Sequence, residues 1–386
     1  MFNVIVTGIA SLLTDISTEM VYPLIPLYLA VLGAPPAILG VIEGFAESTA
    51  SVLKVFSGRF SDKLRRRKPL AIVGYAGSTI GKLLLYVSQG WGLVFAGRMV
   101  DRFGKGIRVA PRDALIADST PEGKRSTAFG LHRAMDTLGA AAGVAISILL
   151  VSSLGHDPAR PGFQRIFLLS LIPAGLGIAA LFFIRERKVE HKMRELPKFS
   201  WRCLPSKLRW FLFVVTLFAL GNSSNQFLLL RARNLGMSVL AVLAAYLLYN
   251  VVYGLLSYPA GRLADRVGRK WLLVAGYAFY GLVYIGFAAA PSVLHPSSFI
   301  PVFVLFALYG VYSALNEGLE KALVADVAPQ EHCGTFIGLH STLVGIGLLP
   351  ASLLAGMLWS LVGPSAPFWF GGILGLAAAA GLAIVL

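Results

Sequence analysis

The sequence predicts an all-α membrane protein: twelve transmembrane helices in two pseudo-symmetric six-helix bundles. Three observations carry that prediction. The 386 residues are 56% hydrophobic and only 14% charged, whereas soluble domains carry charge on about a quarter of their residues. Mostly apolar runs of about 18 residues or more recur along the chain, each long enough to cross about 30 Å of hydrocarbon as a helix. One stretch of sequence also appears twice, half a chain apart.

The apolar runs place spans at 4–32, 36–58, 69–88, 91–112, 126–153, 163–184, 209–232, 238–261, 271–290, 299–327, 334–362 and 365–386. The doubled stretch is RDALIADSTPEGKRSTAFGLH at 112–132 and EKALVADVAPQEHCGTFIGLH at 320–340, with nine identities in 21 positions. They include Asp118/Asp326, Pro121/Pro329 and the Gly-Leu-His that ends each copy. A second pair, GRFSDKLRRRKPL at 58–70 and GRLADRVGRKWLL at 261–273, recurs at a similar offset. The repeat divides the chain into an N-terminal bundle over 1–184, a charged linker over 185–208 and a C-terminal bundle over 209–386. Parallel repeats of this kind place a solute site at their interface near the bilayer midplane.

Charge distribution sets orientation. The net charge is +15, and 22 of the 34 Lys/Arg fall in 59–68, 124–133, 185–209 and 262–270. The loops of the other side hold four: Arg160, Arg165, Arg231 and Arg233. The positive-inside rule then puts both termini and the 185–208 linker in the cytoplasm. A bacterial cytoplasmic (inner) membrane is the expected location. Here the basic charge meets anionic lipid headgroups, and no nucleic-acid partner is expected. The first apolar run is too long for a cleavable signal peptide. Cys203 and Cys333 both fall on the cytoplasmic side and form no disulfide framework. The sequon Asn222-Ser223-Ser224 falls inside a predicted helix, so glycosylation is not expected.

Motifs for chemistry are missing. The sequence has no HExxH, GxSxG or CxxC pair, and Gly77-Ser-Thr-Ile-Gly81-Lys82 has one residue too few for a phosphate-binding loop. No cofactor, metal or enzyme activity is expected.

Gly261-Arg262-Leu263-Ala264-Asp265-Arg266-Val267-Gly268-Arg269-Lys270 resembles the signature that the major facilitator superfamily carries between helices 2 and 3 and repeats between helices 8 and 9. The first copy has Arg65 where the pattern has Gly. The resemblance implies a monomeric secondary transporter that moves a small solute by alternating access, with spans 1, 4, 7 and 10 lining the cavity. It also implies that Asp62 and Asp265 act as conformational latches. Asp118 and Asp326 end spans 4 and 10 beside the basic loops, where Arg66 and Arg269 are candidate partners. The helix-5 antiporter pattern is half present: Gly139-Ala-Ala-Ala-Gly143 is followed by Val144. Close helix packing is the reading favoured for these glycines.

An ionisable side chain at bilayer depth costs at least ~2.5–3.5 kcal/mol, so each needs a partner or a role. Eight cations lie outside the loops: Lys54, Lys82, Arg98, Arg102, Lys105, Arg108, Arg112 and Lys321. Five of them share one face of span 4, a basic stripe roughly 21 Å long. Glu43 and Glu47 on span 2 lie at the depths of Arg98 and Arg102, which predicts two ion pairs. The pairs can fix packing only, or take part in proton coupling and solute binding. Asp15 and Glu19 share a face of span 1, ahead of a kink expected at Pro23 and Pro26. By the resemblance, which puts spans 1 and 4 on the cavity, they and Lys105 and Arg108 are the charges expected to meet solvent and solute. A carboxylate in an apolar cavity can take up a proton. Alternatively the two acids form a static pair with Arg133, on span 5 beside His132 and Asp136.

At the ends of spans 4 and 10, Arg112-Asp113 corresponds to Glu320-Lys321, an opposite charge order that can close as a gate. A Glu317–Lys321 pair within span 10 is the competitor. His132 and His340 are read as structural, and Asn250, beside Tyr246, Tyr249 and Tyr253, as interhelical glue or a solute contact. The functional expectation is a proton-coupled transporter. Export of an amphipathic or anionic metabolite or drug stands slightly ahead of uptake of an organic anion. A receptor or enzyme on the same fold is the remote alternative.

Overall fold

A computed structural model describes residues 2–64, 67–120, 125–185, 206–293, 299–316, 319–320, 323–324 and 333–385. Among these residues the chain is helical and forms no strand. Helices α1 (Phe2–Val21) and α2 (Ile25–Val31) make the first span, joined by a 3₁₀ turn at Tyr22–Leu24. There follow α3 (Pro36–Leu64), α4 (Lys68–Tyr86), α5 (Trp91–Asp118), α6 (Arg125–Ser153) and α7 (Arg160–Leu181). The seventh span is again two pieces, α8 (Ser206–Gly221) and α9 (Gln226–Asn234). Then come α10 (Val239–Val267), α11 (Arg269–Val293), α12 (Ile300–Asn316), α13 (Cys333–Leu361) and α14 (Ala366–Val385). Most helices with few charges are apolar and long enough to cross a membrane by themselves. Helices α3, α4 and α5 fall outside that set and carry most of the embedded charge.

Several helices outrun their predicted spans, because an apolar window measures only the hydrocarbon-crossing part. Helix α3 continues to Leu64 and α5 to Asp118, so the first copy of the basic motif begins as helix. In the second copy Gly268 takes φ +96° between α10 and α11. An L-residue enters that left-handed region only with strain, which accounts for glycine at this motif position.

Both broken spans contain polar or imino residues at the break. In the first, Pro23 and Pro26 each remove a backbone donor, and the helix tightens through one 3₁₀ turn. The seventh has no proline. There Asn222-Ser223-Ser224-Asn225 interrupts the helix, since short polar side chains compete for backbone hydrogen bonds. This corrects the expectation that the Asn222 sequon lies within a helix. Its serines are buried, 7% exposed each.

The chain divides into two compact units. The first comprises Met1–Ala34, Phe45–Arg194 and Ser238–Leu243; the second comprises Pro35–Gly44, Glu195–Met237 and Ala244–Leu386. In the first unit α1 packs on α6 and α7, and α4 packs on α5 and α7. The α4–α5 contact is backbone on backbone. A Cβ added at Gly81 would stand 2.5 Å from the Gly97 carbonyl oxygen, and one at Gly97 would stand 2.8 Å from that of Gly81. Helix α6 meets α1 likewise: Cβ atoms at Gly139 and Gly143 would lie 2.5 Å from the carbonyls of Leu12 and Ile16. In the second unit α11 packs on α12 and α14, and α8 on α13 and α14. Its interior is rich in tyrosine: Tyr277, Tyr280 and Tyr284 are buried side by side on α11.

Arg231 corrects the charge count. It is not a loop cation but a buried side chain of α9, 1% exposed. It donates to the carbonyls of Phe287 (3.2 Å) and Ala288 (3.3 Å), to Asn234 Oδ1 (3.0 Å) and to Ser365 Oγ (2.7 Å). Its guanidinium also lies 5.9 Å from the Phe368 ring centroid. A guanidinium so surrounded ties α9, α11 and the start of α14 together.

Candidate functional site

Close packing of α4 on α5 presses the charged face of α5 against α3 and α1. Arg98 and Arg102 are both buried, and Glu47 of α3 faces both. Arg102 Nη1 is 3.2 Å and Arg98 Nη2 3.8 Å from Glu47 Oε1. On α5 itself Asp101 Oδ2 lies 3.3 Å from Arg98 Nη1 and 3.5 Å from Arg102 Nε. Tyr22, in the first break, stacks against both guanidinium groups, its ring centroid 5.3 Å and 5.8 Å away. Lys82 of α4 is buried and donates to Thr18 Oγ1 (3.1 Å). It stands in the field of Asp101 and Asp15. Lys105 stands in the field of Arg102, Glu47 and Lys54. Lys54 itself is exposed.

Sequence reading placed Glu47 with Arg102, and the two are in contact. It missed Asp101, which neutralises both arginines from the same helix. Asp101 follows Arg98 by three and precedes Arg102 by one, so the i,i+3 rule applied to acids would have found it. Glu43 is fully buried in the second unit and accepts a hydrogen bond from Ser224 Oγ (3.1 Å), in the second break. Asn225 of the same break accepts one from Tyr309 OH (2.7 Å).

Arg108, one to two turns further along α5, differs from its neighbours. It is 5% exposed. Its Nη1 donates to Ser78 Oγ, and the guanidinium lies over the Tyr75 ring, 4.5 Å from the centroid. Its Nε has no hydrogen-bond partner. Among the described residues no carboxylate lies within ion-pair distance of it. Asp15 and Asp101 are both acids in its field, and Asp15 also feels Asp136, Lys105 and Arg112. Those charges, in place of Arg133, act most strongly on Asp15; Arg133 sits on the exposed side of α6. Asp136 in turn faces His132 Nδ1 at 3.4 Å. A Cβ at Gly139 would stand 3.2 Å from that of Asp15, and one at Gly143 3.0 Å from that of Glu19. The two glycines therefore let α6 approach the acidic face of α1.

The remaining expected residues distribute as follows. Arg112 is held by Asp113 (2.9 Å) and Ser11 Oγ (3.0 Å) within its own unit. Asp118 is held by Arg67 (2.9 Å). Glu320 accepts from Tyr277 OH (2.8 Å) and faces His340 Nε2 (3.0 Å). Asn250 donates to the Tyr246 carbonyl (2.9 Å), while Tyr246, Tyr249 and Tyr253 stack in series along α10. Arg269 opens α11. Arg66, Glu317, Lys321 and Asp326 lie outside the described residues, as do the side chains of Asp62 and Asp265. So does most of the 185–208 linker. Among the described residues no cluster of His, Cys, Asp and Glu could hold a metal ion.

Three comparisons bear on this arrangement. The Major Facilitator Superfamily profile matches residues 7–230 and 210–386. An uncharacterised MFS-type transporter of Methanocaldococcus jannaschii is 36% identical over 382 residues, covering 97% of this chain and 92% of that protein. Among solved structures, the nucleoside transporter NupG superposes over all of both chains with a TM-score of 0.80 at 12% identity. A D-xylose–proton symporter superposes over 99% of this chain and 97% of its own, with a TM-score of 0.74 at 16% identity.

Proposed function

The chain belongs to the major facilitator superfamily, and from that premise we propose that it carries a small organic anion across the membrane together with a proton. That it is an integral membrane transporter and not an enzyme follows from the family. The anion and the proton are our reading, and one observation carries it: Arg108 is a buried cation with no carboxylate at ion-pair distance among the described residues. A buried charge without a counter-charge is costly, and a solute anion supplies one. Arg98 and Arg102 are different, since Glu47 and Asp101 already neutralise them.

The same geometry argues for the sign of coupling. Asp15 competes electrostatically with any anion for Arg108, Lys105 and Arg112. Protonating Asp15 removes its negative charge and leaves Arg108 to the solute, since Asp113 still holds Arg112 and Glu47 still acts on Lys105. Proton and anion then favour each other's binding, which is symport. Export against a proton would instead require the two to compete for one group, as a cationic solute would compete at Asp15. Alternating access follows if the doubly occupied and empty carriers reorient and the singly occupied ones do not. The two broken spans are the first of each half, and helices interrupted at corresponding positions of two repeats are a recurrent pointer to solute-binding residues. The carrier is proposed to work as a monomer in a bacterial cytoplasmic membrane, with its termini and central linker in the cytoplasm.

The test is a thermal-shift screen of purified protein against carboxylates, phosphate esters and sulfonates. Hits are then taken into proteoliposomes under an imposed pH gradient. Uptake driven by inward proton flow is expected, and Asp15→Asn should lose gradient-driven accumulation while keeping gradient-free exchange. Glu19→Gln is the parallel variant. Full gradient-driven transport in both variants, or stabilisation by cations alone, would overturn the reading. Accumulation driven by an outward proton gradient would restore export.

A further inference from the structure

The second unit contains a titratable cluster that the reading above does not use. Glu320 lies close to the end of α12 in the sequence, His340 is on α13 and Tyr277 on α11. Tyr277 OH donates to Glu320 Oε1 (2.8 Å), which leaves Oε2 to face His340 Nε2 (3.0 Å). The imidazole is 4% and the carboxylate 17% exposed. Phe211 of α8 stacks on the imidazole, its centroid 6.4 Å away at 14°. Phe218 stacks on Tyr277 at 3.8 Å and 9°. Tyr312 of α12 also lies in the field of the carboxylate. Among the described residues no Lys or Arg forms an ion pair with Glu320.

We propose that Glu320 and His340 together form a one-proton binding site in the second unit, separate from Asp15. The hydrogen bonds dictate how it works. With Tyr277 occupying Oε1, the single hydrogen between Oε2 and Nε2 must sit on one of those two atoms. His340 Nδ1 is buried without a partner, so a neutral imidazole leaves it cheapest as an acceptor with the hydrogen on Nε2. The cluster in that state is a carboxylate accepting from a neutral imidazole, with net charge −1. One proton from solvent, added to either partner, makes the cluster neutral overall. No bond other than that to the proton forms or breaks.

The internal repeat sharpens the assignment. Glu320 occupies the position that Arg112 holds in the first half, and His340 that of His132. Arginine is charged at all working pH, so the first-half position cannot titrate there. His132 faces Asp136 of its own helix instead. Replacing a fixed cation by a carboxylate, while retaining the histidine, turns a fixed-charge site into one that binds a proton.

The experiment needs no transported solute, so its outcome is independent of the anion reading. Full-length protein with isotope-labelled histidine is titrated in detergent between about pH 5 and 8, the range in which histidine charge changes. The resonance missing from His340→Asn identifies His340. In the wild type it should titrate within that range. In Glu320→Gln its midpoint should leave the range or move by at least about one pH unit. Tyr277→Phe keeps the ring packing and removes only the donor to Oε1, so it decides the matter if Glu320→Gln does not fold; there too the midpoint should move. A His340 resonance that does not titrate in the wild type, or one with the same midpoint in Tyr277→Phe and in any folded Glu320→Gln, overturns the proposal.

Discussion

A buried cation with no carboxylate at ion-pair distance among the described residues and a carboxylate held between two cations should answer neutral replacement in opposite ways. Removing one partner of a buried pair leaves the other uncompensated and typically costs about 3–5 kcal/mol. Glu47 faces Arg98 and Arg102, although its side chain is 26% exposed. Glu47→Gln should therefore cost about 3 kcal/mol, the lower end of that range. In a double-mutant cycle read by melting in detergent, Glu47→Gln with Arg102→Gln should lose less than the sum of the single losses. Strictly additive losses would mean that the contact contributes nothing. Among the described residues Arg108 has Ser78 and the Tyr75 ring as partners, so Arg108→Met should leave the melting temperature unchanged or raise it. The same variant should abolish stabilisation by any anion found in the screen. A stability loss as large as that of Glu47→Gln would make Arg108 a packing residue. The Glu47–Arg102 contact was legible because two adjacent spans running the same way can be matched by depth. Asp101 was not legible in the same way, because a lone acid between Arg98 and Arg102 leaves the basic stripe of that helix unbroken.

Helices held backbone to backbone depend on the absence of a side chain, and that dependence can be measured one glycine at a time. A Cβ at Gly81 would stand 2.5 Å from Gly97 O and 2.7 Å from Asp101 N, so Gly81→Ala must push α4 and α5 apart. Overpacking of this kind costs about 1–3 kcal/mol. Gly92 on the same helix as Gly97 has nothing within 4 Å of an added Cβ, and Gly92→Ala should be neutral. Equal melting temperatures for the two variants would show that α4 and α5 are not packed so closely. Among the elements, the first broken span was legible because Pro23 and Pro26 dictate it through covalent geometry. The second was not, because Asn222-Ser223-Ser224-Asn225 can sit in a helix or interrupt one. What decides is tertiary: Tyr280 OH donates to Gly221 O (2.8 Å) and Ser224 Oγ to Glu43 Oε2 (3.1 Å). Those partners lie far away in sequence, where no local pattern reaches. Arg231 escaped for the same reason, since its acceptors come from α9, α11 and the start of α14.

At the scale of the whole molecule the open quantity is which way the chain faces, and the charge asymmetry commits to an answer. Nine Lys/Arg lie in the 25 residues of 185–209, against four in all the loops expected on the opposite side. Arg231 is buried in the protein, which lowers that four to three and strengthens the bias. Moving such a basic segment across a bilayer opposes the charge bias that sets orientation during insertion. Native Cys203 lies inside this segment and reports on it directly. Cys333 is expected on the same side, so Cys333→Ser leaves Cys203 as the single thiol. In intact cells an impermeant maleimide should leave this variant unlabelled, and permeabilised cells or inside-out vesicles should label it fully. Labelling of intact cells at the permeabilised rate would reverse the topology, and with it the side from which Asp15 is proposed to receive its proton.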